Sequence, residues 1–182
     1  GVNRPDILQR RGLYNTPTDA SKILGLEVSG EIVKVGHEVS GDLIGQKVFA
    51  LTHGGGYAEY CAVDYNHCLS LPVNLSFSEA ACIPETAFTV FYNLFVIGGF
   101  KEGDKVLIHG GSGGIGSTAI QMARLAGADT VIATAGSDEK CEYCKNNGAD
   151  YAFNYRTESF FDKIKQSSIG KIDIVLDMLG GE

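Results

Sequence analysis

The 182-residue chain is 44% hydrophobic and 20% charged, with a formal net charge of −7. That composition excludes a disordered segment and suits a globular chain with a sizeable core. A net acidic chain offers no basic field to a phosphate backbone, which argues against nucleic acid as a partner. The most apolar stretch, 80–100, contains Pro84, Glu85 and Asn93. It reads as a core helix, so no membrane span is expected. The chain opens in mid-pattern at Gly1 and closes just after a predicted buried strand, so it is read as truncated at both ends.

In chain order, residues 1–77 read as a β-rich domain. Residues 28–35 (VSGEIVKV) alternate and end on the turn residue Gly36. A second strand is predicted over 47–51, followed by Gly54-Gly55-Gly56 as punctuation. Residues 57–63 then resume an extended pattern, and 68–71 form one more strand. Short strands between glycine turns predict a small barrel or curled sheet.

Residues 78–182 change rhythm. Ser78 is read as the cap of a helix over 79–97, broken at Pro84. Strands are predicted at 105–109, 130–134, 151–153 and 172–177. Helices alternate with them at 114–126, 138–147 and 158–166. This alternation predicts an α/β, doubly wound parallel sheet that stops after about four strands.

Five cysteines stand at 61, 68, 82, 141 and 144. An odd number without a secretory signal points to reduced thiols and a cytoplasmic location. Cys141 and Cys144 form a C-x-x-C pair inside a predicted helix rather than at its N-terminus. No second pair or suitably spaced histidine accompanies them, so they read as packing residues.

The stretch VLIHGGSGGIGSTAIQ (106–121) carries the clearest chemistry. Gly111, Gly113 and Gly116 make G-x-G-x-x-G, while Gly110, Gly114 and Gly116 make G-x-x-x-G-x-G. Either pattern, set between a strand and a helix, lets backbone approach a pyrophosphate and aims free N–H groups at it. Gly111, Ser112, Gly113, Gly114, Ile115 and Gly116 are therefore candidate dinucleotide contacts. The next strand ends Thr134-Ala135-Gly136-Ser137, without the acid that usually bonds an NAD ribose. Asp138 falls one residue later, where a helix dipole alone accounts for it. Ser137, Lys140 and Tyr155 or Arg156 are the candidates for holding a 2′-phosphate, with Thr134 and Gly136 as further cofactor contacts at the strand end, so NADPH is the expected cofactor. His109 reads as strand-end packing.

The first half then becomes specific. Asn3-Arg4-Pro5-Asp6, Gln9-Arg10 with Gly12 and Tyr14, Gly25-Leu26-Glu27 with Ser29-Gly30, and Val33 with Val35-Gly36 resemble the N-terminal GroES-like domain of medium-chain dehydrogenases/reductases. Gly54-Gly55-Gly56 with Ala58 and Tyr60, Gly103-Asp104 with Val106, and Asn154-Tyr155-Arg156 extend the resemblance over essentially the whole chain. Within that superfamily the wording is similar to the zinc-free NADPH:quinone oxidoreductases, the zeta-crystallin group, and to their stress-inducible branch. The resemblance implies a GroES-like domain (1–77) followed by a Rossmann domain (78–182). A β-rich domain ahead of the glycine loop favours the G-x-G-x-x-G reading over the short-chain dehydrogenase one.

Zinc-dependent relatives hold a catalytic Cys where this chain has Asn3 and a His where it has Leu26, so the resemblance implies metal-free chemistry. Without a Lewis acid, quinones and α,β-unsaturated carbonyls are the accessible hydride acceptors, because conjugation spreads the developing charge. The resemblance places the reaction in the cleft between the domains, with Tyr14 as hydrogen-bond donor and Asn3 positioning the nicotinamide ribose or the substrate. The structural alternatives are a surface role for Tyr14 and a helix cap for Asn3. Two other functions stay open: an enoyl-thioester reductase of the same fold, and a non-catalytic, crystallin-like NADPH-binding protein. The family implies a homodimer or homotetramer when full length.

Overall fold

The computed structural model describes residues 1–178 and 180. The chain forms two compact units, Gly1–Phe88 and Thr89–Glu182. The division falls inside a helix rather than at residue 77, because the segment after that point is tied to the first unit. Glu85 N–H donates to Glu27 Oε2 at 3.0 Å, and the Gly1 nitrogen to the carbonyl of Ala81.

In the first unit, α1 (Arg4–Arg10) begins with Pro5 in its first turn, where a missing N–H costs nothing. Gly12, at φ +69°, ends it. Strands β1 (Glu27–Glu31), β2 (Lys47–Leu51) and β3 (Cys68–Ser70) make an antiparallel sheet in that order. Glu27 pairs with Leu51 and Phe49 with Leu69.

The extended run expected over 57–63 is not a strand. Gly54 and Gly55 adopt φ of +78° and +89°, which takes the chain out of extended geometry. Residues 55–57 instead bond the backbone of 23–25: Gly55 N–H to Ile23, Tyr57 N–H to Leu24 and Gly56 N–H to Gly25. The approach at Gly25 is so close that a Cβ there would lie 2.7 Å from Gly56 Cα.

The helix predicted from Ser78 also differs. Ser76 caps α2 (Phe77–Ala80) in a capping box with Glu79, and α3 (Pro84–Val90) restarts at the proline. The helix then widens to π geometry over Phe91–Ile97, closing with Gly98 N–H on the carbonyl of Asn93.

The second unit is a four-stranded parallel sheet of β4 (Lys105–Ile108), β5 (Thr130–Ala135), β6 (Tyr151–Asn154) and β7 (Ile174–Leu176), in the order β6-β5-β4-β7. Apolar runs such as KVLI and TVIATA suit strands covered on both faces. Val106, Ile108, Val131 and Ala133 face one cluster, with α4 (Gly114–Leu125) and α5 (Asp138–Asn146) packed on it. Leu107 and Ile132 face the other, against Phe160 and Ile164 of α6 (Phe160–Gln166). The expected doubly wound architecture is therefore present.

Candidate active site

The glycine loop runs from the end of β4 into α4, and its glycines serve different needs. A Cβ on Gly111 would lie 2.8 Å from Ala133 Cβ and 2.9 Å from Cys144 Sγ, so that glycine lets the loop lie on the core. A Cβ on Gly116 would lie 2.6 Å from Gly111 Cα, so that one lets the helix approach its own loop. At Gly113 the nearest atom would be the Gly110 carbonyl at 3.4 Å, an ordinary contact. Protein packing thus does not demand a glycine there. Gly113 and Gly114 are exposed at the start of α4, where first-turn amides have no helical acceptor. Ser112 and Ile115 flank them, half-buried, with the Ile115 side chain packed inward. The cradle fits a pyrophosphate.

Thr134 sits beneath this loop. Its carbonyl accepts from Gly111 N–H at 2.9 Å, and its buried hydroxyl bonds His109 Nδ1 at 2.9 Å. The side chain therefore faces inward and supports the loop instead of pointing at a ligand. His109 packs edge-on against Phe160, as strand-end packing requires.

At the tip of β5, a Cβ on Gly136 would lie 2.7 Å from the Tyr155 hydroxyl and 3.5 Å from Arg156 Nε. The glycine lets both side chains lie over the strand end. Ser137 caps α5 by accepting from Lys140 N–H, and its hydroxyl hydrogen stays available. Lys140 is exposed, and among the described residues neither it nor the Arg156 guanidinium pairs with a carboxylate. Asp138 is committed elsewhere, accepting from Asn154 Nδ2 at 2.7 Å. The strand tip thus presents two cations and two hydroxyls, and Asp138, the acid that follows Ser137, is engaged with Asn154. That donor set fits a phosphate monoester.

In the first unit, Asn3 stands at the N-cap of α1 within a network of buried carboxylates. Asp6, 2% exposed, accepts from Asn3 N–H (2.9 Å), Gly25 N–H (3.0 Å) and the Tyr57 hydroxyl (3.0 Å). Glu27, 4% exposed, accepts from Asn3 Nδ2 at 2.8 Å. Loss of hydration at its hydroxyl, the bond to Asp6 and the charges of Asp6 and Glu27 push the Tyr57 phenol up to about 12. Burial, then the charges of Glu27 and Asp6, raise the Glu85 carboxyl. Tyr14 lies on the exposed loop after α1, and its hydroxyl bonds nothing among the described residues.

Two domain models match the chain. Residues 1–73 match the alcohol dehydrogenase GroES-like domain, and residues 114–182 match the zinc-binding dehydrogenase domain. Pig (Sus scrofa) quinone oxidoreductase is 39% identical over 181 residues, covering 98% of this chain and 55% of the relative. Escherichia coli quinone oxidoreductase, solved in complex with NADPH, superposes with a TM-score of 0.86 at 32% identity, covering all of this chain and 56% of that one. The CurK enoyl reductase superposes with a TM-score of 0.85 at 34% identity, covering 100% and 57%. The chain belongs to the medium-chain dehydrogenase/reductase superfamily. It spans about half the length of these relatives.

Membership sharpens what each residue contributes. Of the sequence-derived candidates, Gly111 to Gly116 cluster at one helix start, and Gly136, Ser137, Lys140 and Tyr155 at one strand tip. Arg156 reads as secondary to Tyr155 from the sequence, although the structure sets both beside Gly136. The sequence offered no signal for Asp6, Glu27 and Tyr57 acting together, because those residues meet only through long-range bonds. Among the described residues, no group of three or more His, Cys, Asp or Glu side chains gathers as a metal site. Cys141 and Cys144 lie buried in the sheet-facing cluster, and burial raises both thiols, Cys144 to about 11.

Proposed function

We propose that this chain carries the machinery of an NADPH-dependent, zinc-independent reductase that delivers hydride to quinones or α,β-unsaturated carbonyls. The observation carrying this reading is the tip of β5, where neither Lys140 nor Arg156 pairs with a carboxylate among the described residues and Asp138 is committed to Asn154. Such a tip favours a 2′-phosphate over free ribose hydroxyls. The Gly113 and Gly114 backbone would hold the diphosphate, with Ser112, Ile115 and Gly116 shaping the cradle. When bound, the nicotinamide supplies a hydride. Tyr14, with its hydroxyl unengaged, donates to the oxygen on which charge develops. Asn3 orients the ribose or substrate.

Two features support zinc independence. Leu26 has no ligating atom, and Asn3 Nδ2 is spent on Glu27. The partner is a small molecule; a homo-oligomer and a cytoplasmic location complete the reading. No helix among the described residues is long and apolar enough to cross a membrane.

The similarity to the CurK enoyl reductase supports a second reading with an enoyl-thioester acceptor. Consumption of NADPH and NADH by the intact protein distinguishes the two. The acceptors to use are 9,10-phenanthrenequinone, 1,4-benzoquinone and crotonyl-CoA, each with and without a chelator. The expected result is quinone turnover with NADPH, unchanged by chelation. Turnover of the thioester alone establishes the second reading, and equal use of NADH overturns the assignment of Lys140 and Arg156. Loss of activity on chelation overturns zinc independence.

A further inference from the structure

Asn154, 6% exposed, is the last residue of β6 and pairs across the sheet with Ala135 at the end of β5. Its backbone is held at both polar atoms. The N–H donates to Glu158 Oε1 at 3.3 Å, and the carbonyl accepts from the N–H groups of Thr157 and Glu158, both at 3.1 Å. The side chain therefore leaves from a fixed point, and it makes two further bonds. Oδ1 accepts from Arg156 N–H at 3.2 Å, and Nδ2 donates to Asp138 Oδ1 at 2.7 Å. A backbone N–H only donates and an ionised carboxylate only accepts, so one orientation of the amide satisfies both neighbours.

Asp138 is the first residue of α5, directly after Ser137, and it is exposed. Among the described residues no cation pairs with it. What holds its carboxylate is the Asn154 amide. Glu158 is turned to the Asn154 N–H and to Lys163, 3.5 Å away. One asparagine thus takes a carboxylate on each of its two nitrogens, beside the strand end that carries Tyr155 and Arg156. All of these residues lie in the second unit.

We infer that Asn154 is a positioning residue for cofactor choice, whose buried amide withholds Asp138 from the ribose 2′ position and so keeps the β5 tip selective for a 2′-phosphate. This rests on the reading of that tip as a phosphate cradle. An acid near the end of the second strand of such a fold bonds ribose hydroxyls. Released from Asn154, Asp138 offers that acceptor to a 2′-hydroxyl and repels a 2′-phosphate. The same amide also fixes the Arg156 backbone, so a single side chain sets the cation's place and withholds the acid.

The test is a double-mutant cycle of N154A and D138A on the intact protein, reading the dissociation constants of NADPH and NADH from cofactor fluorescence. The readout is the ratio of the two constants, because a general loosening of the fold weakens both cofactors alike. N154A keeps the backbone bond to Glu158 and loses only the amide. It is expected to lower the preference for NADPH about tenfold, the scale of one like-charge contact near a protein surface. D138A alone is expected to shift the ratio less than about twofold, because Asp138 is already withheld. Added to N154A, it should bring the preference back to within about twofold of the unaltered protein. A preference that survives N154A, that stays low in the double variant, or that D138A alone moves as far as N154A does overturns the inference. An unaltered protein with no preference for NADPH overturns the reading of the tip, a separate failure. Should N154A not fold, the Asn154 NH₂ resonances of the unaltered protein and of D138A decide, since Asp138 is exposed. One NH₂ proton protected from solvent exchange, and losing that protection in D138A, is expected. A signal pair indifferent to D138A overturns the inference.

Discussion

The first unit keeps Asp6, Glu27 and Thr52 out of water around a short list of buried apolar side chains, Phe49, Ala50 and Ala80. The second buries an apolar sheet, and its buried polar side chains, Thr134 and Asn154, are uncharged. Order in the first unit therefore depends on donors reaching fixed carboxylates, several of them far apart in sequence. Order in the second depends on close packing, with glycines wherever packing leaves no room. A buried carboxylate network is costly to break because each orphaned donor keeps its desolvation penalty. A packed βα turn is costly to crowd because backbone cannot yield as a side-chain tip can.

Crowding should give the largest effect. Gly116→Ala places a Cβ against the backbone of Gly110 and Gly111. Urea unfolding of this variant is expected to show a loss of about 3 kcal/mol, at the upper end of overpacking costs. Gly113→Ala meets only an ordinary contact. It should cost less than about 1 kcal/mol in stability yet weaken NADPH at least tenfold. Equal destabilisation by the two variants would remove the distinction between packing glycine and ligand glycine.

Breaking the polar network comes next. Asp6→Ala strips the acceptor from Asn3 N–H, Gly25 N–H and the Tyr57 hydroxyl together. The expected loss is about 2 kcal/mol or more, since bonds to charged acceptors contribute more than neutral ones. Tyr57→Phe removes one donor and leaves Asp6 two, so about 1 kcal/mol is expected in the same assay. If the two variants cost the same, Asp6 is not the hub of that network.

The same contrast explains how much was legible beforehand. Alternating strands and helices over 105–177 were readable because each element carries its own period and cap. Ser137 caps α5, and Ser159 caps α6, which starts at Phe160 rather than at the expected 158. The glycine loop was readable because its spacing is local. The run over 57–63 misled because alternation alone cannot register Gly54 and Gly55 turning the chain through positive φ. Ser78 reads as the cap when Pro84 is taken as a break within one helix, whereas Ser76 is the cap of a separate short helix. In fact the first short helix ends at Ala80, and the second begins at that proline. Thr134 reads as a ligand contact from its place at a strand end, yet the alternation of β5 puts its side chain on the face of Ile132, bonded to His109. The Asp6, Glu27 and Tyr57 network was invisible, because Tyr57 reaches Asp6 across a separation that no local pattern encodes.

A pH titration sharpens the polar side of the comparison. Tyr57 keeps nearly half its surface exposed while its hydroxyl is held against Asp6. Its folded value, up to about 12, lies above the ordinary 10.0. The protonated phenol is therefore favoured in the folded chain, and its contribution to stability is complete below pH 10. That contribution is lost as pH rises from about 10 to about 12, where the unfolded chain releases a proton that the folded chain retains. Absorbance at the tyrosinate band should show Tyr57 titrating well above the ordinary 10.0, and Asp6→Asn should bring it back toward that value. A Tyr57 that titrates near 10.0 would show that Asp6 does not hold the phenol.

Thiol reactivity tests the packed side and should leave stability untouched. Cys82 is exposed, whereas Cys141 and Cys144 lie in the cluster beneath the glycine loop. Burial raises both of the latter, Cys144 to about 11, so near pH 8 their thiolate fraction is small and their access poor. A thiol reagent should therefore label Cys82 rapidly and the C-x-x-C pair only after denaturant opens the unit. Because Cys144 Sγ occupies the space that a Cβ on Gly111 would need, any adduct at Cys144 has to displace the loop that cradles the diphosphate. NADPH bound there should slow labelling of Cys144 further, by the factor that its binding suppresses local opening. Rapid native labelling of Cys144, indifferent to NADPH, would mean that the loop is not seated on the core as described.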